Sequence, residues 1–563
     1  MEGFMTTIYN PILHGFHPDP CIIKVGSIYY VANSTFEWYP GVRIYKSSDL
    51  THWELADSPL VYPDHLDLSS VPSSGGIWAC DISFKNGRFF LTYTQVDQFE
   101  RSPGSNQGFK DTINFVTTTD RIGGSWSPRV LLNSTGFDPS LFHDDDGTSY
   151  LLNMVWDYRS NQHNFGGIVI QEFNTENLHP IGQPRLIFSG TPIGYTEGPH
   201  VYKHHDWYYL VTAEGGTSFG HCVTVARSKT IFGPYELHPQ TPFFSSVVDR
   251  NGFDQAKIQG KSVLKFCTDD LQKAGHASWA PISGDDWVMA FLCARPLPNT
   301  ALCPLGRETA LELLTWCEDW PWPHSRVPRS IIQLESEKSV RPTNYQWVEH
   351  FNIDRLDDNL QTLRVPIKTW GRLERPSWLR MMGGQSPVSP KRHVLARRIS
   401  SHSWKAECTL IAHPTTFQHM AGLIVRYDEA NQVGIFFSHD EQRQCDVVFV
   451  LSVDNKQILT GEPVDIPVRS AVRLQARCID SIITFYWSVR EADWEQVNPS
   501  FDFGLLSDDH AKPIGFTGSF IGITCCDLAS TGFFADFDYL SYSEPVVKST
   551  RSGSAISTAK PLF

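Results

Sequence analysis

Five polar residues recur at similar spacing in the first half of the chain, and each stands at the head of a short apolar run. They are Asp19, Asp81, Asp138, Glu197 and His276, separated by 62, 57, 59 and 79 residues. Carboxyl groups brought close together repel one another and shift each other's pKa, and proteins keep such clusters mainly where chemistry or a cation requires them. The pattern therefore predicts a reactive site. Asp81 is equally open to a second interpretation, the capping of a turn.

Each head opens a segment with the layout of a β-hairpin. An apolar run, a polar turn and an aromatic-rich run follow one another, as in DPCIIKVGSIYYVAN and DISFKNGRFFLTYT. Repeats of about 60 residues with this content suit the four-stranded blades of a propeller. We therefore expect a five-bladed β-propeller, with an insertion near VVDRNGFDQAKIQGKSV. The heads of its innermost strands would converge on the central channel.

Two carboxyl groups on opposite sides of a channel are suited to glycoside hydrolysis. One protonates the leaving oxygen, and the other attacks the anomeric carbon or activates a water. Asp19 on the first blade and Glu197 on the fourth would face each other. A separation of about 6.5–9.5 Å would leave room for the water and predict inversion of configuration.

The ordered motifs resemble glycoside hydrolase family 43, in the branch of β-xylosidases that carry a C-terminal β-sandwich. The matching stretches are NPILHGFHPDPCI, STFEWYPGVRIYKSSDLTHWEL, GGIWACDISF, GFDPSLFHDDDGTSYL, TEGPHVYK, LQKAGHAS, CPLGRETALE and FTGSFIGITCCDL. The resemblance implies that Asp19 is the general base and Glu197 the general acid. It makes Asp138 a third carboxylate that orients Glu197 and holds its pKa up.

The same resemblance implies a small pocket for the terminal sugar. The residues that it assigns to this pocket are Phe36, Trp78, Trp156, Thr217, His276 and Arg307, with Phe520 contributed by the second domain. For the aromatic residues, core packing is the alternative. In some members of the family the position of His276 binds a divalent cation, usually Ca2+, so a calcium ion near His276 is an option; no cofactor is otherwise expected. Cys21 and Cys80 depart from the Ser and Pro that are common in the family.

The second half of the chain has a different pattern. The proline-rich stretch EDWPWPHSRVPRS interrupts the repeats, and from Trp347 onward short runs such as MAGLIVRYD and SIITFYWSV indicate an antiparallel β-sandwich. We therefore expect an all-β fold class, a five-bladed β-propeller followed by a β-sandwich, which in the resembled family is a concanavalin A-like jelly roll. The expected divisions are a catalytic propeller at 1–325, a linker at 326–345, a sandwich at 346–545 and a mobile tail at 546–563.

Composition restricts the partners. The 563 residues carry a formal net charge of −14 at pH 7, which disfavours nucleic acid and anionic membranes. No run approaches the roughly 18 apolar residues of a membrane span, and MEGFMTTIYNP lacks the pattern of a signal peptide. We expect a cytoplasmic protein, with secretion left open. A homo-oligomer is also open, because members of the family often form dimers or tetramers.

The resemblance, together with the two facing carboxyl groups, implies an exo-acting, inverting glycosidase that releases xylose from the non-reducing ends of xylobiose and xylooligosaccharides. An α-L-arabinofuranosidase, or an enzyme with both activities, is the nearest alternative, because the two pentoses present similar hydroxyl groups to such a pocket. A sugar-binding propeller without catalysis is the alternative from another class. Three converging carboxyl groups argue against it, because binding alone does not require them.

Overall fold

The computed structural model describes residues 5–99, 110–159, 162–268, 270–335, 345–352, 356–375, 377–466, 471–490 and 493–545. Within these residues the regular secondary structure is almost entirely β-strand, which confirms the predicted fold class. One α-helix, Arg250–Ile258, lies in the segment predicted as an insertion. The described 3-10 helices are Leu264–Phe266, Ile367–Thr369 and Phe503–Leu506. None of the helices in this part of the chain combines the length and apolar character needed to cross a membrane.

Five antiparallel sheets, one for each repeat, form the blades of the propeller. Blade one contains Cys21–Val25, Ile28–Asn33, Arg43–Ser47 and Glu54–Asp57. Blade two contains Gly76–Lys85, Arg88–Gln98, Asp111–Thr119 and Val130–Asn133. Blade three contains Ser140–His143, Ser149–Trp156, Phe165–Asn174 and His179–Phe188. Blade four contains Glu197–His204, Trp207–Glu214, Cys222–Ser228, Glu236–Leu237 and Phe244–Ser245, and blade five contains Gln272–Ser283, Asp286–Ala294, Glu308–Cys317 and Trp320–Pro323.

Aromatic side chains pack neighbouring blades together. Between blades four and five, the rings of Tyr202 and Trp279 stack with centroids 5.2 Å apart. The hydroxyl of Tyr202 also accepts a hydrogen bond of 2.7 Å from the backbone N–H of Trp279. Flat rings with a polar end can thus fill the space between two twisted sheets and still satisfy a buried backbone group. Much of the aromatic content of the first half serves this packing.

The two ends of the propeller are held together by a short sheet. Met5–Tyr9 pairs antiparallel with Ile331–Glu335, which follows the last blade. The side chain of Asn10 reinforces this closure, because its amide nitrogen donates to the carbonyl oxygens of Leu311 and Arg329. Residues 331–335, part of the predicted linker, therefore form a strand against the start of the chain.

Two large antiparallel sheets face each other in the second half. One contains Gly371–Arg375, Trp378–Met382, Phe534–Ser543, Trp404–Ala412, Val472–Ile479, Ile482–Ser488 and Glu495–Asp502, with Gln346–Glu349 paired to Phe534–Ser543. The other contains Gln457–Thr460, Cys445–Asp454, Asn431–Asp440, His419–Arg426, Phe520–Asp527, His393–Arg398 and Gln361–Leu363, with Val464–Ile466 paired to Cys445–Asp454. Their facing side chains form the largest apolar cluster among the described residues.

The second of these sheets continues into the propeller. Trp38–Tyr39, which lies between two strands of blade one, pairs antiparallel with Gln361–Leu363 at the edge of the sheet. Trp38 is fully buried, and its ring stacks on that of Phe520 with centroids 3.8 Å apart. Backbone pairing and aromatic stacking therefore both join the two halves. The exact divisions at 325 and 345 stay predictions, and residues 336–344 and 546–563 lie outside the described residues.

Candidate active site

A cavity of about 440 Å³ lies where the inner strands of the blades begin, within the range of about 300–1,000 Å³ that is typical of ligand pockets. Four of the five heads predicted from the sequence line it: Asp19, Asp138, Glu197 and His276. They come from blades one, three, four and five, so the fold brings together residues that are far apart in the chain.

The backbone at these heads has an unusual conformation. Asp19, Asp138 and His276 have φ angles of 50°, 58° and 44°, and Gly198, directly after Glu197, has φ 59°. A positive φ is uncommon outside glycine, although Asp and His adopt it more readily than most residues, and strained backbone clusters at functional sites. The side chains of Asp19, Asp138 and His276, which have this conformation, all line the cavity.

Asp19 is held by Ser34, which directly follows the strand Ile28–Asn33 of its own blade. The hydroxyl of Ser34 donates a hydrogen bond of 2.6 Å to Oδ2 of Asp19. The other carboxylate oxygen lies 3.8 Å from Nδ1 of His276. Burial lowers the pKa of His276 to about 4; the charge of Asp19 opposes this shift, whereas His200 and Arg307 add to it. The imidazole beside Asp19 is therefore neutral at neutral pH.

Asp138 and Glu197 are buried carboxyl groups that affect each other's charge state. The backbone N–H of Gly198 donates to Oδ2 of Asp138 at 2.9 Å and stabilises its charged form. Burial raises the pKa of Glu197 well above its usual value, the charges of Asp138 and Asp19 raise it further, and Arg307 and Lys110 oppose the rise. Burial and Asp19 also raise the pKa of Asp138. Since Asp138, and not Glu197, accepts a backbone N–H among the described residues, we assign the proton to Glu197.

This assignment makes a prediction about pH. If protonated Glu197 is required, kcat/KM falls as the pH rises through the pKa of Glu197, which sets the basic limb of the profile. Asp138→Asn removes a negative charge that raises this pKa, so the basic limb should move to lower pH, and kcat should fall because Glu197 is less often protonated. A pH–rate profile of both proteins measures the shift. An unchanged basic limb in the variant would contradict the role of Asp138.

Asp81, the remaining head, does not line the cavity. Its Oδ2 accepts the backbone N–H of Leu141 at 3.0 Å, and its Oδ1 accepts the thiol of Cys21 at 3.3 Å. Nδ1 of His200 lies 3.5 Å from the same Oδ1. Asp81 therefore connects blade two to blades one, three and four, which is a structural role. The departure at Cys21 supplies one of these contacts.

All but one of the residues predicted to bind the sugar also line the cavity: Phe36, Trp78, Trp156, Thr217, His276 and Arg307. The aromatic residues form a wall in which the rings meet edge to face, as between Trp78 and Phe137 with centroids 5.3 Å apart. Apolar faces beside a few polar groups suit a sugar ring, which has both CH and hydroxyl surfaces. Core packing and pocket lining therefore coincide for these residues.

Phe520 is the exception, and its prediction needs correction. It is fully buried, stacked on Trp38, and lies in a strand of the sandwich outside the cavity lining. Phe516, four residues earlier in the same motif, lines the cavity together with Ile514. The motif FTGSFIG contains two phenylalanines, and the sequence alone does not show which precedes the strand and stays in the loop.

Phe516→Ala tests the contribution of the sandwich to the pocket. Loss of the ring should raise KM for a short xylooligosaccharide by about fivefold, equivalent to roughly 1 kcal/mol of an aromatic contact, with a small change in Tm. Phe520→Ala is the matched control. It should instead lower Tm by several degrees, because it removes a buried ring. If the two variants changed KM equally, the assignment of Phe516 to the pocket would be wrong.

Several cavity residues escaped the sequence analysis: Phe99, Lys110, Phe137, Phe165, Tyr195, Ser218, Ile514 and Phe516. Phe137 directly precedes Asp138, and Tyr195 lies two residues before Glu197, so their closeness to predicted catalytic residues was an available signal. Lys110 had no such signal. It directly precedes the blade-two strand Asp111–Thr119, and its Nζ lies 4.3 Å from the centroid of the Trp156 ring.

Two family profiles match the chain, one in each half. Residues 8–321 match the profile of "Glycosyl hydrolases family 43". The chain belongs to glycosyl hydrolase family 43. Residues 348–543 match "Beta xylosidase C-terminal Concanavalin A-like domain". The carboxyl groups of the cavity thus lie in the part that matches the family 43 profile, whereas Phe516 and Ile514 come from the part that matches the C-terminal domain.

Individual relatives match along almost their whole length. The chain is 38% identical to a β-xylosidase of Bacillus subtilis strain 168, over 95% of this chain and 99% of the relative. It is 36% identical to "Xylosidase/arabinosidase 43B" of Humicola insolens, over 96% and 98%. The crystal structure of a xylan β-1,4-xylosidase from Bacillus halodurans C-125 superposes with a TM-score of 0.86 at 39% identity, over 95% of this chain and all of the other. Known glycosidases of this kind therefore match both halves of the chain.

Proposed function

We propose that the protein is an exo-acting, inverting β-xylosidase that releases xylose from the non-reducing ends of xylobiose and xylooligosaccharides. The observation that carries the proposal is the position of Asp19, Asp138 and Glu197 around one cavity. Residues of the sandwich, Ile514 and Phe516, also line this cavity. A pocket covered in this way accommodates the end of a chain more readily than its middle, which supports exo action.

In the proposed mechanism Asp19 is the general base. A water between Asp19 and the sugar transfers a proton to Oδ1 or Oδ2, and its oxygen attacks the anomeric carbon. Glu197 donates its proton to the glycosidic oxygen as the bond to the anomeric carbon breaks. The products are free xylose of inverted configuration and a shortened chain. Asp19 ends protonated and Glu197 ionised, and exchange with solvent restores both groups.

Arg307 and the aromatic wall would hold the sugar in place. Nε and Nη2 of Arg307 are buried and have no hydrogen-bond partner among the described residues, so sugar hydroxyls are suitable acceptors for them. The rings of Phe36, Trp78 and Trp156 offer apolar faces to the CH groups of the pyranose. Thr217 adds a hydroxyl at the edge of the cavity.

An α-L-arabinofuranosidase activity is the second candidate, and a specific observation favours keeping it. The Humicola insolens relative is named as both a xylosidase and an arabinosidase. Its sequence identity to this chain, 36%, is close to the 38% of the Bacillus subtilis β-xylosidase. Release of nitrophenol from aryl β-xyloside and aryl α-L-arabinofuranoside measures the two activities side by side. We expect the higher kcat/KM on the β-xyloside. If neither is cleaved, the proposal fails.

Stereochemistry gives a further test. NMR of the first sugar anomer released from a β-xyloside should show α-xylose, because a single displacement by water inverts the anomeric centre. Initial formation of β-xylose would contradict the assignment of Asp19 as a base acting through water.

A calcium ion near His276 stays a prediction, and the donor set does not favour it. Ca2+ takes six to eight oxygen ligands, whereas the nearby acidic group at His276 is the carboxylate of Asp19. Among the described residues the clusters with metal-ligating side chains are Cys21–Asp81–His200 and His204–His205–Asp285, and neither contains His276. We assign no step to an ion. Chelation followed by addition of calcium would test the prediction. A homo-oligomer and a cytoplasmic location also stay predictions.

A further inference from the structure

Two aspartates of the sandwich are buried against two cations of the propeller. Nζ of Lys273 lies 2.8 Å from Oδ1 of Asp509, and Nε of Arg307 lies 3.8 Å from Oδ2 of Asp508. The four side chains are between 1% and 6% exposed. An isolated charge at such depth is strongly disfavoured unless an opposite charge accompanies it. Each cation of the propeller therefore depends on an anion of the sandwich.

The two aspartates make different contacts. Asp509 fastens the loop that leads to Arg307, because its Oδ2 accepts the backbone N–H of Cys303 at 3.1 Å. Asp508 lies beside the guanidinium itself and accepts a hydrogen bond from the hydroxyl of Tyr427, within the sandwich. The adjacent residues offer a natural comparison: similar burial and charge, but only Asp508 faces Arg307.

The loop before Arg307 is closely packed against the sandwich. The backbone N–H of Ser519 donates to the carbonyl oxygen of Pro304 at 2.9 Å. Gly306 has φ 78°, and a Cβ atom on it would lie 2.5 Å from Cα of Gly518. This contact leaves the backbone little freedom, so the direction of the Arg307 side chain is decided by what lies beside its guanidinium.

Arg307 occupies a sensitive position. It lines the cavity, its guanidinium carbon lies 4.9 Å from the centroid of the Phe516 ring, and, apart from the ion pair of Nε with Asp508, its Nε and Nη2 donate no hydrogen bond among the described residues. Its positive charge also lowers the pKa of Glu197. A neighbouring carboxylate thus has two effects: it holds the guanidinium where hydroxyl groups can reach it, and it offsets part of its field at Glu197.

We propose that Asp508 is a positioning residue of the active site, which orients Arg307 toward the terminal sugar and balances its charge from the second domain. This inference rests on the proposed function. It assigns the sandwich an electrostatic role in the reaction in addition to its contribution to the wall of the pocket.

The test compares Asp508→Asn with Asp509→Asn in the full-length protein. We expect Asp508→Asn to raise KM for xylobiose about tenfold, the size of one lost contact to a charged group. The basic limb of its kcat/KM profile should move to lower pH, because uncompensated Arg307 lowers the pKa of Glu197 further. Asp509→Asn should lower Tm and leave the basic limb in place. In Asp508→Glu, KM and the position of the basic limb should return partway to the wild-type values.

Tyr427→Phe gives a second measurement if Asp508→Asn does not fold. It removes the hydroxyl that holds Asp508 and should raise KM about threefold, with a shift of the limb in the same direction. Equal KM and equal basic limbs in the Asp508 and Asp509 variants would overturn the inference. If Asp508→Asn does not fold, a Tyr427→Phe protein with the KM and basic limb of the wild type would overturn it. An inactive wild type would instead reject the proposed function itself.

Discussion

Asp19→Asn should lower kcat on xylooligosaccharides and on activated aryl β-xylosides by a similar factor, about 10²–10⁴-fold. The substitution keeps the size of the side chain and its contact with the hydroxyl of Ser34, but the amide cannot take a proton from water. Because water must be activated whatever the leaving group, a better leaving group should not relieve the defect. Steady-state kinetics on substrates with leaving groups of graded pKa measure this.

Asp81→Asn is the matched control for this substitution. Asp81 heads blade two as Asp19 heads blade one, but its carboxylate binds the backbone of Leu141 and the thiol of Cys21 rather than facing the cavity. We expect a lower Tm with a much smaller change in kcat. If Asp81→Asn were as inactive as Asp19→Asn while both stayed folded, the general base would have to be reassigned.

Glu197→Gln should show the opposite dependence on the leaving group. For natural xylooligosaccharides, whose departing alkoxide is a strong base, we expect kcat to fall about 10²–10⁴-fold. For an aryl β-xyloside with an acidic phenol the loss should be far smaller, because this leaving group departs without a proton. The basic limb of the pH profile should also disappear, since glutamine does not titrate.

The contrast between the two variants carries the assignment of roles. If the loss of kcat depended on the leaving group in Asp19→Asn but not in Glu197→Gln, Asp19 would be the general acid and Glu197 the general base. The burial of Glu197 beside the carboxyl groups of Asp138 and Asp19 argues for the roles proposed here, because burial and neighbouring acidic groups both raise its pKa and favour the protonated form.

The sequence predicted the architecture well because the repeats record it directly. Heads at intervals of about 60 residues, each before an apolar run, give five blades, and convergence of the heads follows from the geometry of a propeller. The prediction failed at Asp81, whose carboxylate does not line the cavity and binds the backbone of another blade rather than capping a turn of its own. Its partners, Leu141 and His200, belong to other blades, so no local pattern could reveal this contact.

Residues contributed across the two domains were harder to predict. Phe516 and Phe520 stand in one motif, and the choice between them depends on where the strand Phe520–Asp527 begins and on the stacking of Phe520 against Trp38. Asp508 carried no signal at all, because a single aspartate in a loop resembles many others. Its significance comes from burial against Arg307, a contact between residues about 200 positions apart.

The short strand Trp38–Tyr39 has a consequence for any attempt to use the catalytic half by itself. Cut away from the sandwich, the propeller would expose this segment, unpaired and bearing a large apolar ring, and unpaired strand edges seek other chains. Exchanging sandwiches between relatives would meet the same restriction, because the donor has to provide a matching edge strand. The propeller and the sandwich therefore have to be transferred and engineered together.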